Sequence, residues 1–232
     1  MDVLFYDPTY ILVLIGAILS LCASARVNST YRRYSQVRSY SGLTGAEAAQ
    51  RILRGAGIYD VQVEYIRGNL TDHYDPRDKV LRLSDGVYGS TSVAAIGIAA
   101  HECGHAIQDD RSYVPLQLRN TFVPVANFGT KAALPIILVG ILFGSSYLLI
   151  EIGLLCFFFG VVFQLITLPV EFNASKRAVR ILGDSGILTE EELYGTRKVL
   201  SAAAMTYVAA AAASILSMFR LLILFGGGRR RR

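Results

Sequence analysis

Apolar and polar residues follow one another along this chain in long blocks, far longer than the alternation that builds a soluble core. Residues 10–25, 134–150 and 153–170 meet or approach the roughly 20 apolar residues that a helix needs to cross a bilayer. A fourth block, 199–225, is longer still but carries Arg220. Residues 26–40 are a basic, Tyr-containing connector, and Thr44-Gly45-Ala46-Glu47 then opens a helical run over 46–54 that Gly55 and Gly57 close. Residues 61–83 mix β-branched and polar types around the turn signal Asp75-Pro76, which predicts two short strands. Ser90-Thr91-Ser92 offers N-caps for a helix over about 93–108, and a polar helical block at 172–200 breaks at 183–186.

The pattern gives five segments: an N-terminal membrane helix (1–25), a polar segment (26–133), a membrane hairpin (134–170), a second polar segment (171–200) and an apolar helical segment with a basic tail (201–232). The expected fold is a mainly helical integral membrane protein with a small β element and three to four membrane helices. Composition agrees, since 53% of the 232 residues are hydrophobic, above ordinary soluble usage.

Charge adds a direction to this picture. The net charge is +5, but no Lys or Arg precedes residue 10 or separates the second and third apolar blocks. Thirteen cations fall within 26–131, five within 176–198 and five from Arg220 onward, which places both long polar segments in the cytoplasm. Three spans and an outside N-terminus keep 171–200 there, and a fourth span would export the four terminal arginines. The block 199–225 is therefore not expected to cross as one straight span. Asp and Glu interleaved with the cations argue against nucleic acid as a partner. Ala23-Ser24-Ala25 resembles a leader cleavage site, but Asp2 and Asp7 precede the apolar run where a leader carries positive charge, so a retained helix is expected. Cys22, Cys103 and Cys156 have neither disulfide nor zinc-thiolate spacing.

The chemistry concentrates in His101-Glu102-Cys103-Gly104-His105, an H-E-x-x-H pattern inside an expected helix, which holds two of the chain's three histidines. Residues four apart share a helix face, so both imidazoles can reach one zinc ion, while Glu102 projects beside it and can deprotonate a zinc-bound water. Catalytic zinc takes three protein ligands. Asp109 lies too far along the same helix, and Glu151 falls between the two hairpin spans on the opposite face of the membrane. Glu171 returns to the histidines' side and opens the helical run Glu171-Phe172-Asn173-Ala174-Ser175.

Asp72-His73-Tyr74-Asp75-Pro76, Arg82-Leu83-Ser84, residues 99–108 around the metal motif, Glu171-Phe172-Asn173-Ala174-Ser175 and Ala204-Met205-Thr206-Tyr207 together resemble the YugP-like family of membrane zinc metallopeptidases. That family is similar to the HtpX-type and CAAX prenyl proteases. The resemblance implies a zincin-like core with one zinc ion per chain, held by His101, His105 and a Glu from a later helix, here Glu171. Those relatives carry an Asp four residues after that Glu, supporting a metal-bound histidine. Ser175 stands there in this chain, with Asn173 as the alternative partner. The relatives also form an edge strand before the zinc helix, so His73 could meet the backbone of a bound peptide or the developing oxyanion, instead of being a surface histidine or a fourth ligand. Tyr207 and Arg177 are further candidates for an oxyanion donor. The expected partners are a peptide or membrane-protein substrate and the lipid bilayer. The rivals are a zinc-containing membrane scaffold without turnover and a zinc hydrolase acting on a non-peptide bond.

Overall fold

The apolar runs at 10–25, 153–170 and 199–225 each lie within a longer helix, whereas the run at 134–150 is divided between two helices, Val114–Leu142 and Tyr147–Asp184, so that Glu151 lies inside the second of them and not in a connecting loop. A computed structural model of the protein describes residues 7–143 and 146–226. In chain order these form α1 (Tyr10–Tyr34), α2 (Gly45–Gly55), β1 (Gln62–Tyr65), β2 (His73–Asp75), β3 (Val80–Leu83), α3 (Val93–Asp110), α4 (Val114–Leu142), α5 (Tyr147–Asp184) and α6 (Glu190–Phe225). Among the described residues α1, α4, α5 and α6 are long and apolar enough to cross a membrane. The chain divides into two compact units. The first gathers residues up to Ala23, Leu118–Leu168 and those from Thr206 onward; the second gathers Ser24–Gln117 and Pro169–Met205.

In the first unit, small residues let helices approach closely where lipid offers no hydrophobic drive for packing. A side chain at Gly16 of α1 would meet Ala213 of α6 at 3.0 Å, and one at Gly129 of α4 would meet the Cys156 carbonyl of α5 at 2.6 Å. The two ends of the chain meet in the same unit. Arg220 lies 3.1 Å from the Asp7 carboxylate and 4.0 Å above the ring of Tyr10. The α1–α6 pair is thus antiparallel, and the one charge in the fourth apolar block is paired, as an ionisable group at membrane depth requires.

The second unit is built around α3. Ser92 caps that helix through the Ala95 amide, and Ile96, Ala99, Ala100 and Cys103 are fully buried in its core. A capping box between Thr44 and Glu47 starts α2, whose Ala49, Ile52 and Leu53 join the same core together with Leu81 and Leu83 of β3 and Leu182 and Leu193 of the two long helices. The sheet has the order β1-β3-β2, with β1 parallel and β2 antiparallel to the central β3.

Several sequence expectations need correction. Three strands stand where two were expected, because 61–83 folds back at Asp75-Pro76 and also pairs its first segment with its last. The connector at 26–40 is helical as far as Tyr34. Val27, Thr30, Tyr31 and Tyr34 recur at helical spacing as its half-buried positions; the Tyr31 hydroxyl reaches the Gly86 carbonyl, and the Tyr34 ring lies against Gly195. The polar block at 172–200 is helical on both sides of a break at 185–189, close to the expected 183–186, and its halves are the end of α5 and the start of α6. Finally, 199–225 is part of one uninterrupted helix antiparallel to α1, long and apolar enough to cross a membrane. The Arg220–Asp7 pair gives the one charge within 199–225 a partner; the expectation that this block would not cross as one straight span rested on the four terminal arginines. The four terminal arginines lie outside the described residues.

Candidate metal centre

α3 and α5 touch backbone to backbone at the motif. A Cβ on Gly104 would lie 2.8 Å from the Ala174 carbonyl and 3.1 Å from its Cα, so a larger residue there would hold the helices apart. This contact sets the turn of α3 carrying His101 and His105 against the turn of α5 carrying Glu171. His101 Nε2 is 3.3 Å and His105 Nε2 is 3.7 Å from Glu171 Oε2. One potential ligand atom from each of the three residues lies within 4.8 Å of the others. Ligands of a tetrahedral zinc ion with bonds of about 2.1 Å stand about 3.4 Å apart, so two of the separations already suit the ion. The donor set of two imidazoles and one carboxylate also suits it. Glu171 is buried, and the two imidazoles are partly so.

The far sides of both rings are engaged. His101 Nδ1 lies 3.1 Å from Ser175 Oγ. His105 Nδ1 lies 3.0 Å from Oε1 of Gln108, a fully buried residue. Gln108 Nε2 donates to the Val170 carbonyl (2.9 Å) and to Asn173 Oδ1 (3.0 Å), and Arg177 Nε donates to the same Asn173 oxygen at 2.7 Å. Ser175 therefore stands on a histidine, whereas Asn173 reaches the other only through Gln108. Sequence reasoning passed over Gln108. The available signal was its position three residues after His105, on the same helix face.

Glu102 is buried beside His101. Burial is the main cause that pushes its carboxyl up to about 7; a positive His101 would oppose the rise, and Glu171 and Asp72 add to it. His73 lies on β2, which pairs only with β3 among the described residues, and its Nδ1 is 2.9 Å from the Thr71 carbonyl. Asp109 is occupied elsewhere, accepting from Tyr74 Oη at 2.9 Å and Lys79 Nζ at 2.7 Å. Arg177 also lies 5.9 Å from the ring centroid of Tyr113. Glu151 and Tyr207 belong to the first unit. Among the described residues, His101, His105 and Glu171 are the group of His, Cys, Asp or Glu side chains placed to hold a metal ion.

Residues 9–226 match the model of a family described as "Putative neutral zinc metallopeptidase". The "Putative membrane protease YugP" of Bacillus subtilis (strain 168) is 50% identical over 200 residues, which cover 86% of this chain and 88% of that protein. No solved structure matches the chain significantly.

Proposed function

The chain belongs to the neutral zinc metallopeptidase family, and on that premise we propose that it is a membrane endopeptidase in which His101, His105 and Glu171 hold one zinc ion and Glu102 is the general base. The observation that carries the proposal is the convergence of two Nε2 atoms and one carboxylate from α3 and α5, with both Nδ1 atoms turned away onto fixed partners. Zinc, when bound, supplies a Lewis acid that acidifies a water and polarises a peptide carbonyl.

The protein's own groups do the rest. Glu102, raised toward neutrality by burial, is poised both to take the proton of the attacking water and to give it to the leaving amine. The side of β2 away from β3, unpaired among the described residues, suits a substrate in extended form, added as a further strand. Such a peptide would run past His73. Because Thr71 offers a carbonyl, the His73 proton sits on Nδ1, and the Nε2 of the neutral ring can accept a substrate backbone N–H. Only as an imidazolium could His73 donate from Nε2 to the oxyanion. Arg177 is committed to Asn173, and Tyr207 carries no part of the proposal. The distribution of Lys and Arg favours a cell-membrane location with the site on the cytoplasmic side.

The test is a proteomic comparison of membranes from cells carrying the wild type or Glu102→Gln. Fragments present only with the wild type, and their full-length precursors accumulating with the variant, are expected. Identical profiles under conditions where both proteins are expressed would instead favour a zinc-containing scaffold without turnover.

A further inference from the structure

The hydrogen bonds behind His105 form a chain in which no member can be reversed. Arg177 only donates, so the Asn173 amide must turn its Oδ1 toward Nε of that guanidinium. The Val170 carbonyl only accepts, so the Gln108 amide must turn its Nε2 toward Val170, and the same group's second hydrogen meets Asn173 Oδ1. Flipping Gln108 would set its oxygen against two other oxygens. With Nε2 fixed, Oε1 faces His105 Nδ1 and can only accept. Of the two acceptors that face the ring, Gln108 Oε1 is within hydrogen-bond reach of Nδ1 at 3.0 Å and Glu171 Oε2, 3.7 Å from Nε2, is not, so the ring proton of neutral His105 is held on Nδ1 and the Nε2 lone pair is turned toward Glu171 and the His101 ring.

We propose that Gln108 is a positioning residue that locks His105 in the Nδ1–H tautomer and in one ring orientation, so that its Nε2 is ready for a metal ion before the ion arrives. The lock stands on the hydrogen-bond chain alone; its importance for metal affinity rests on the proposed zinc site. Gln108 has no solvent exposure and both of its amide groups are used, so no water is available to substitute if it is removed. His101 differs. Its Nδ1 meets a serine hydroxyl, which can donate or accept, and Ser175 thus leaves that tautomer open. The two histidines are unequal: His105 is fixed in advance, and His101 adjusts.

The chain has three histidines, so selective labelling resolves each ring. Full-length protein labelled with 15N-histidine, in detergent micelles, stripped of metal and held at about pH 8, above the ordinary histidine range, would be studied by two-bond 15N–1H correlation. Wild-type His105 is expected as the single Nδ1–H form, the tautomer that free histidine disfavours. Gln108→Met should lose that single form and bind zinc about 10- to 100-fold more weakly in a competition titration. Gln108→Glu should keep both the tautomer and the affinity, because a carboxylate still accepts from Nδ1–H, while its melting temperature falls for want of a donor to Val170. A purely structural glutamine would make Glu and Met equally damaging to zinc binding. Wild-type His105 in the Nε2–H form, or wild-type zinc affinity in Gln108→Met, would overturn the proposal. An Nδ1–H His105 in a wild type that takes up no zinc would sustain the lock and defeat the metal-site reading instead.

Discussion

At the scale of single residues, the proposed site separates groups placed to face a metal ion from groups that hold them in place. His101, His105 and Glu171 converge, Glu102 is buried beside them, and Ser175 and Gln108 occupy the Nδ1 side of the two rings. His73 lies on the strand before this helix, and its hydrogen bond to Thr71 assigns it a lone pair at Nε2. We expect His73→Ala to keep its zinc and to lose about tenfold in kcat/KM, mostly through KM, as for one hydrogen bond to substrate. A fall in kcat of about 10²–10³ would mark a donor to the oxyanion, and loss of zinc would mark a ligand. The spacing of His101 and His105 was readable because both ligands sit on one helix, where i, i+4 geometry fixes their separation. The part played by Gln108 was not, because its partners Val170 and Asn173 lie on α5, remote in sequence, and nothing local to α3 distinguishes a metal-positioning glutamine from one that ends a helix.

At the scale of elements, the decisive contact is α3 on α5. At Gly104 the Ala174 backbone comes within reach of any side chain, and backbone cannot move aside as a flexible side chain can. Gly104→Val should cost about 1–3 kcal/mol from overpacking and weaken zinc binding at least tenfold, because the clash separates Glu171 from both histidines. Gly55→Ala is the control. It ends α2 with open space around it, and should bind zinc normally with stability changed by about 1 kcal/mol or less. Thermal melts with zinc titrations would measure both; equal zinc affinity in Gly104→Val would remove this contact from the account. Element identity was legible where a cap announces it, as at Thr44 and Ser92. Element length was not. Hydropathy follows composition, whereas a helix continues while its backbone bonds close and its half-buried face finds partners, as Tyr31 and Tyr34 do beyond the apolar end of α1.

At the scale of the whole molecule, four apolar helices and a metallopeptidase family assignment describe a membrane protein whose polar segments alternate in sequence with its apolar ones. Four crossings would put the first end of α1, the last end of α4 and the last end of α6 on one side of the membrane. The Asp7–Arg220 pair agrees, since it joins the first end of α1 to the last end of α6. A cysteine added after Arg232 should therefore react with an impermeant reagent from the side opposite to one placed at Gly89, in protein freed of native cysteines; labelling of both from the same side would restore the shorter topology. The central claim is that His101, His105 and Glu171 hold the ion while Glu102 works on water. The most direct measurement is the zinc-to-protein ratio of purified Glu102→Gln and Glu171→Ala, with peptide cleavage followed on the same Glu102→Gln sample. About one zinc per chain and no turnover are expected for Glu102→Gln, and little zinc for Glu171→Ala. Loss of zinc from Glu102→Gln, or full zinc retained by Glu171→Ala, would contradict it.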